Sequence, residues 1–183
     1  MDKLTIFTED NALSAVEVLN DTDTIAQRLK ALGIGFEQWQ TDAPLSAEAD
    51  ESEVIAAYQS SINDLKRQHG FHTVDVAAIH PDHPQAEELR KKFLCEHTHD
   101  DFEARYFVDG SGMFYIHAVG HVFMLRCDKG DLVNLPALTP HWFDMGAKPD
   151  FKAIRFFRIA EGWVGLPTGS DIAERFPRFE TAA

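Results

Sequence analysis

The sequence predicts a mainly β domain with flanking helices: an antiparallel barrel or sandwich, decorated on its N-terminal side by helices and strands. Three observations carry this. From residue 96 onward, short apolar runs follow one another at close intervals, punctuated by Gly and Pro with no helical period between them. Ahead of residue 96, three segments carry helical spacing, and two of them are closed by Gly. The 183 residues contain no internal repeat and no Ser- or Pro-rich linker, so both parts are expected to share one core. A single domain over 1–183 follows, with 1–95 supplying helices and edge strands and 96–165 the barrel core.

In order along the chain, residues 21–32 place Ile25, Leu29 and Leu32 at helical intervals behind Asp21 and Thr22 as caps, with Gly33 as the stop. Residues 35–39 read as a strand and 43–52 as a polar loop. A stronger helix over 53–69 carries Val54, Ile55, Ala57, Tyr58, Ile62 and Leu65, and Gly70 closes it. Within 71–79, Val74, Val76 and Ala78 alternate with Thr73, Asp75 and Ala77, the period of a partly buried strand that His80 and Pro81 end. A third helix covers 84–94. Strands are then expected over 103–109, 112–118, 121–126, 131–135, 141–144 and 151–159.

Composition narrows the partners. A net charge of −13 repels phosphate backbones and anionic lipid headgroups, which disfavours nucleic acid and membrane. No stretch approaches the roughly 18 apolar residues of a spanning helix. Asp2, Glu9 and Asp10 stand where a signal peptide would be basic and then apolar, so a cytoplasmic protein is expected. Cys95 and Cys127 are too few for a disulfide framework and read as buried thiols in a reducing compartment. The nine histidines all lie between His69 and His141, and the chemistry is expected there.

In an extended chain side chains alternate, so His97 and His99 face the same way, and Glu103 and Arg105 join them if the strand stays regular. His141, on a separate strand, is the fourth candidate. Three imidazoles and one carboxylate are donors that suit Fe(II), Ni(II), Mn(II), Co(II) or Zn(II). A six-coordinate ion on four such ligands would keep two positions open, and the complex would carry a net +1 that attracts an anionic chelator. His117 and His121 read as ordinary exposed histidines, and His80 and His83 as loop residues.

The spacing His97-x-His99, then Glu103, then Gly110, resembles the first motif of the cupin superfamily, and Gly130-x5-Pro136-x4-His141 resembles its second. Lys91, Leu138 and Met145 stand where those motifs usually have Gly, Gly and Asn. The strings Phe93-Leu94-Cys95-Glu96-His97-Thr98-His99, Glu103-Ala104-Arg105-Tyr106-Phe107-Val108-Asp109-Gly110, Pro140-His141-Trp142-Phe143-Asp144-Met145-Gly146, Ala153-Ile154-Arg155-Phe156-Phe157 and Glu161-Gly162-Trp163-Val164 are similar to the acireductone dioxygenase family of methionine salvage, in its bacterial form.

That resemblance implies a jelly-roll-like cupin barrel and one Fe(II) or Ni(II) per monomer, held by His97, His99, Glu103 and His141. It implies cleavage by O2 of the enediol 1,2-dihydroxy-5-(methylthio)pent-1-en-3-one, to formate and 4-methylthio-2-oxobutanoate with iron, or to formate, CO and 3-(methylthio)propanoate with nickel. Arg105 and Arg155 would face the substrate oxygens, and Phe93, Phe143 and Trp163 would enclose the thioether tail. Glu96 could orient a ligand imidazole or act as base. Phe102 occupies the position where the family usually has an acid, which leaves Asp101, Glu96 or a metal-bound water as substitutes. The resemblance leans toward a monomer. The competing readings are another metal cupin dioxygenase, or a non-catalytic cupin that binds a small molecule.

Overall fold

The computed structural model describes residues 2–39, 45–46, 48–162 and 164–180. In chain order the elements are β1 (Leu4–Thr8), β2 (Glu17–Leu19), α1 (Thr22–Lys30), β3 (Gly35–Gln38), α2 (Glu51–Ala57), α3 (Gln59–His69), β4 (Thr73–Ile79), α4 (Ala86–Phe93), β5 (His97–Thr98), β6 (Glu103–Ala118), β7 (His121–Asp128), β8 (Asp131–Leu135), β9 (His141–Asp144), β10 (Phe151–Phe157) and β11 (Leu166–Pro167). All pairings are antiparallel. One layer runs β11-β5-β9-β6-β7-β1-β2. The other runs β3-β8-β6-β10-β4. The first half of β6 belongs to the second layer and its last half to the first, so this one strand closes the two sheets over each other, as the expected barrel requires.

The interior is aromatic and aliphatic. Leu4, Ile6, Phe107, Phe114, Phe123, Phe143 and Phe151 are buried between the layers. Val54 of α2, Ile62 and Leu65 of α3, and Tyr58 between them bury against Tyr106, Ile154 and Phe156 on the outside of the second layer. Behind the first layer, Phe176 and Phe179 of the C-terminal segment cover Tyr115 and Trp142. Asp144, fully buried on β9, fastens that segment: it receives Arg90 of α4 in two hydrogen bonds of 2.8 and 3.1 Å and the backbone N–H of Phe179 at 3.0 Å. The charged hydrogen bonds thus tie α4 to the sheet that carries His141.

Several expectations are corrected in detail. The helix over 53–69 is two helices: Asp50 starts α2 with a capping box to Glu53, and Tyr58, whose φ and ψ of −104° and 13° are not helical, separates it from α3. Strands β1, β2 and β11 were not anticipated. Segments 103–109 and 112–118 form one strand, because Gly110 takes φ +68° and lets the chain pass without breaking the sheet. Opposite β10 the register slips between Lys152↔Asp109 and Ala153↔Phe107, leaving Val108 as the extra residue of a bulge. The polar loop over 43–52 lies partly outside the described residues. Leu138, at the motif position that usually holds Gly, adopts φ +62°, so the turn keeps its left-handed backbone without glycine.

A side chain at Gly110 has no room, since its Cβ would lie 1.9 Å from the Asp150 carbonyl oxygen. Gly110→Ala is expected to cost about 3 kcal/mol through the combined clash and left-handed φ. Urea unfolding of the variant checks this; a loss under about 1 kcal/mol would show that the β6–β10 junction yields freely.

Candidate metal centre

The layer arrangement brings together side chains that are far apart in sequence. β5 and β9 pair at His97↔His141, so these imidazoles sit side by side, with ring centroids 4.5 Å apart. His99 follows β5, with its ring centroid 5.0 Å from that of His97 and 5.3 Å from that of His141. The potential ligand atoms of the three lie within 4.8 Å of one another. Glu103, at the start of β6 and buried, brings its Oε2 to 3.1 Å from His99 Nε2 and 2.9 Å from His141 Nε2.

The tautomers are set from behind. Each Nδ1 donates to a backbone carbonyl: His97 to Cys95 at 2.8 Å, His99 to Val164 at 2.9 Å and His141 to Thr139 at 2.8 Å. A carbonyl only accepts, so the proton of a neutral imidazole sits on Nδ1 and each Nε2 presents a lone pair. Those lone pairs face a carboxylate, which also only accepts. Although these distances suit hydrogen bonds, His99 Nε2, His141 Nε2 and Glu103 Oε2 are buried without a hydrogen-bond partner, while Glu103 Oε1 faces the Arg105 guanidinium. Acceptors held against acceptors in a low-dielectric interior are costly unless a cation lies among them. The donor set and its orphaned atoms therefore fit a divalent ion.

Charge reinforces this. Burial pushes the Glu103 carboxyl up, but Arg105 and the neighbouring imidazoles outweigh it and hold it well below the usual carboxylate range. Burial, with His141 beside it, pulls His97 down to about 4, which keeps its nitrogen free for a metal at neutral pH. Burial also lowers His99, but the Glu103 carboxylate overcomes that and raises it. Arg105 Nε lies 2.5 Å from Glu103 Oε1, and its guanidinium is held between the Phe114 and Phe143 rings, 5.2 and 5.3 Å from their centroids.

In front of the imidazoles lies a pocket of about 300 Å³. Arg105, Arg155, Phe93 and Cys95 line it, and Leu89 and Pro167 add apolar wall. Phe143 stands edge-on to Phe93, with ring centroids 6.4 Å apart. Arg155 shares the cross-strand pair Arg155↔Arg105 and is clamped by Asp75 of β4 through hydrogen bonds of 2.8 and 2.7 Å. Asp75 was missed as a site residue. Its signal is parity with Thr73 and Ala77 on the face that meets β10, but only the register Arg155↔Asp75 reveals its partner. Gly165 was missed too: a Cβ there would come to 3.0 Å from His97 Cδ2, so any larger residue in the segment before β11 crowds that imidazole.

Other expected residues lie elsewhere. Glu96 is buried on the opposite side of β5 from His97, where its carboxylate bonds His117 Nδ1 at 2.7 Å and the Thr168 hydroxyl at 2.5 Å. Asp101 accepts from the backbone N–H groups of Arg158 at 2.5 Å and Ile159 at 3.0 Å, and it caps that turn rather than facing the pocket. Phe102 lies under the Arg158 guanidinium, 3.9 Å away, and lines a separate groove of about 640 Å³ beside α1 that presents no convergent donor set among the described residues. Trp163 lies outside the described residues. Cys95 is exposed rather than buried, because the alternation that turns His97 inward turns Cys95 with it. His117 is half-buried between Glu96 and Glu9, and His121 is half-buried as well, so neither is an ordinary exposed histidine.

Two outcomes are expected. Glu103→Ala should lose bound metal, read by elemental analysis after dialysis, and full occupancy would remove the residue from the ligand set. Gly165→Ala should keep the fold but weaken metal binding about tenfold by displacing His97, a typical effect of disturbing a ligand's surroundings; an unchanged dissociation constant would show that the covering segment does not hold the ring.

The model of the ARD/ARD′ family matches residues 3–165. Acireductone dioxygenase of Methylococcus capsulatus is 49% identical over 180 residues, covering 98% of this chain and 96% of that protein. The Hydrogenobaculum sp. enzyme of the same name is 48% identical, covering 100% of this chain and 99% of its own. Among solved structures, an acireductone dioxygenase from Bacillus anthracis with a cadmium ion in its active centre superposes with a TM-score of 0.79 at 27% identity, covering 91% of this chain and 98% of that one. With a family match over most of its length and relatives near half identity from end to end, the chain belongs to the acireductone dioxygenase family.

Proposed function

We propose that this metal-dependent dioxygenase cleaves 1,2-dihydroxy-5-(methylthio)pent-1-en-3-one with O2, within methionine salvage in the cytoplasm. With Fe(II) the products are formate and 4-methylthio-2-oxobutanoate; with Ni(II) they are formate, CO and 3-(methylthio)propanoate. One observation carries this reading: three imidazoles whose ligand atoms lie within 4.8 Å of one another, two of them against the Glu103 carboxylate, meet at a pocket lined by Arg105, Arg155 and apolar side chains.

His97, His99, Glu103 and His141 would hold the ion, which supplies charge stabilisation and a template for a chelating enediolate. Arg105 is fixed between two rings and against Glu103, so its guanidinium is a rigid donor at the pocket wall. Arg155, fixed by Asp75, is a second. Together they orient the substrate oxygens and favour the ionised enediol, since cations nearby lower an acid's pKa. Phe93, backed by the edge-on ring of Phe143, takes the methylthio tail with Leu89 and Pro167 and excludes water. Glu96 and Asp101 are bound to other partners, so the described residues present no free carboxylate to take the enediol proton, and the substrate binds already ionised. The monomer toward which the family resemblance leans is part of the same proposal.

Anaerobic loading with Fe(II) or Ni(II) separately, followed by the enediol and O2, tests the proposal. Rapid loss of the enediol absorbance with the metal-specific products supports it; bleaching no faster than with the metal-free protein removes it. Asp75→Ala, which frees Arg155 from its clamp, is expected to raise KM about five- to tenfold, the worth of a charge-assisted contact, with a smaller change in kcat. An unaltered KM would mean that Arg155 does not meet the substrate.

A further inference from the structure

Three cations line the pocket, Lys92, Arg105 and Arg155, and no carboxylate does among its described lining residues. This is a concentration of positive charge in a chain of net charge −13. The three are not equivalent. Arg105 is paired with Glu103 at 2.5 Å and Arg155 with Asp75 at 2.7 Å, so much of their field is cancelled within the protein. On α4, Arg90 is paired with Asp144 and Lys91 with Glu87. Lys92, exposed in the last turn of α4, enters no ion pair among the described residues. A lysine in the last turn also favours the helix dipole, but Arg90 and Lys91 already serve that role, whereas Lys92 alone of these lines the pocket.

Taking the ionised enediol of the preceding section as the substrate, we propose that Lys92 is the steering and specificity cation of this site. It captures anions through an uncancelled charge at the pocket wall and discriminates against neutral molecules of the same shape. The physical need is clear. A strongly acidic surface repels an anion at long range, and the Debye length of about 10 Å at 0.1 M salt means that only charges close to the entrance can reverse that repulsion. A charge already neutralised by a buried partner contributes little beyond a few ångströms. An exposed, unpaired ammonium contributes most, and its effect is lost as salt rises.

A charge ladder at this position tests the proposal: Lys92→Arg, Lys92→Gln and Lys92→Glu, with Lys91→Gln as a control that removes the same net charge from a neighbour outside the pocket. At low ionic strength kcat/KM for the enediol should stay near wild type in Lys92→Arg, fall about threefold in Lys92→Gln and about tenfold in Lys92→Glu, and converge near 0.5 M salt, with kcat steady throughout. Lys91→Gln should stay within about twofold of wild type, as expected for an exposed pair. In parallel, calorimetric binding of oxalate, an unreactive dianion, to the Ni(II)-loaded proteins should follow the same order. A flat oxalate series, or losses that persist unchanged at high salt, would overturn the role of Lys92. If oxalate obeys the ladder while none of the proteins consumes the enediol, the steering cation stands and the enediol reading of the site fails.

Discussion

Four acceptor groups are forced together with no proton to share among them. The Nδ1 protons of His97, His99 and His141 are committed to the carbonyls of Cys95, Val164 and Thr139, so three Nε2 lone pairs and the Glu103 carboxylate point into one buried volume. Without an ion, Arg105 lies against one Glu103 oxygen, and the carboxylate raises the pKa of His99. With a divalent ion, every one of those atoms gains a partner. The rest of the structure around the site serves to keep these acceptors convergent.

The fold supplies that constraint by layering. β6 crosses from one sheet to the other and delivers Glu103 and Arg105 from its first turn of strand, while β5 and β9 lie next to each other in the other sheet and deliver His97 and His141 as direct neighbours. Residues 164–168 are laid across this face by β11, by Gly165 and by the bonds from Thr168 to Glu96, and they supply the carbonyl that orients His99. Behind β9, Asp144 fastens α4 and the C-terminal segment, so the wall that carries Leu89, Lys92 and Phe93 is held to the strand that carries His141. Alternating charges then continue outward, from Glu103 to Arg105 and from Arg155 to Asp75.

Much of this was legible because it depends on local periodicity. The two-residue step between His97 and His99 and the even offset to Glu103 and Arg105 placed all four on one side, although residues 100–102 are not strand and the parity survives through a turn. The same alternation, applied to Glu96, turns it away from the pocket toward His117 and Thr168, and applied to Cys95 turns it in; there, the general tendency of cysteine to be buried misled. Asp101 reads as an acid near the site, but its carboxylate answers two backbone N–H groups some 57 residues away, a partnership no sequence pattern encodes. Asp75 depended on the register of β4 against β10. Short strands such as β2 and β11, of three and two residues, are too brief to show a period, and they exist because neighbouring edges offer unpaired backbone groups.

X-ray absorption on the Ni(II)-loaded protein, before and after anaerobic addition of the enediol, tests the central claim most directly. The account predicts imidazole scattering from three rings, light-atom ligands only, and a change in the oxygen shell when the enediol arrives. A sulfur scatterer from Cys95, fewer than three imidazoles, or a shell that ignores the enediol would contradict it.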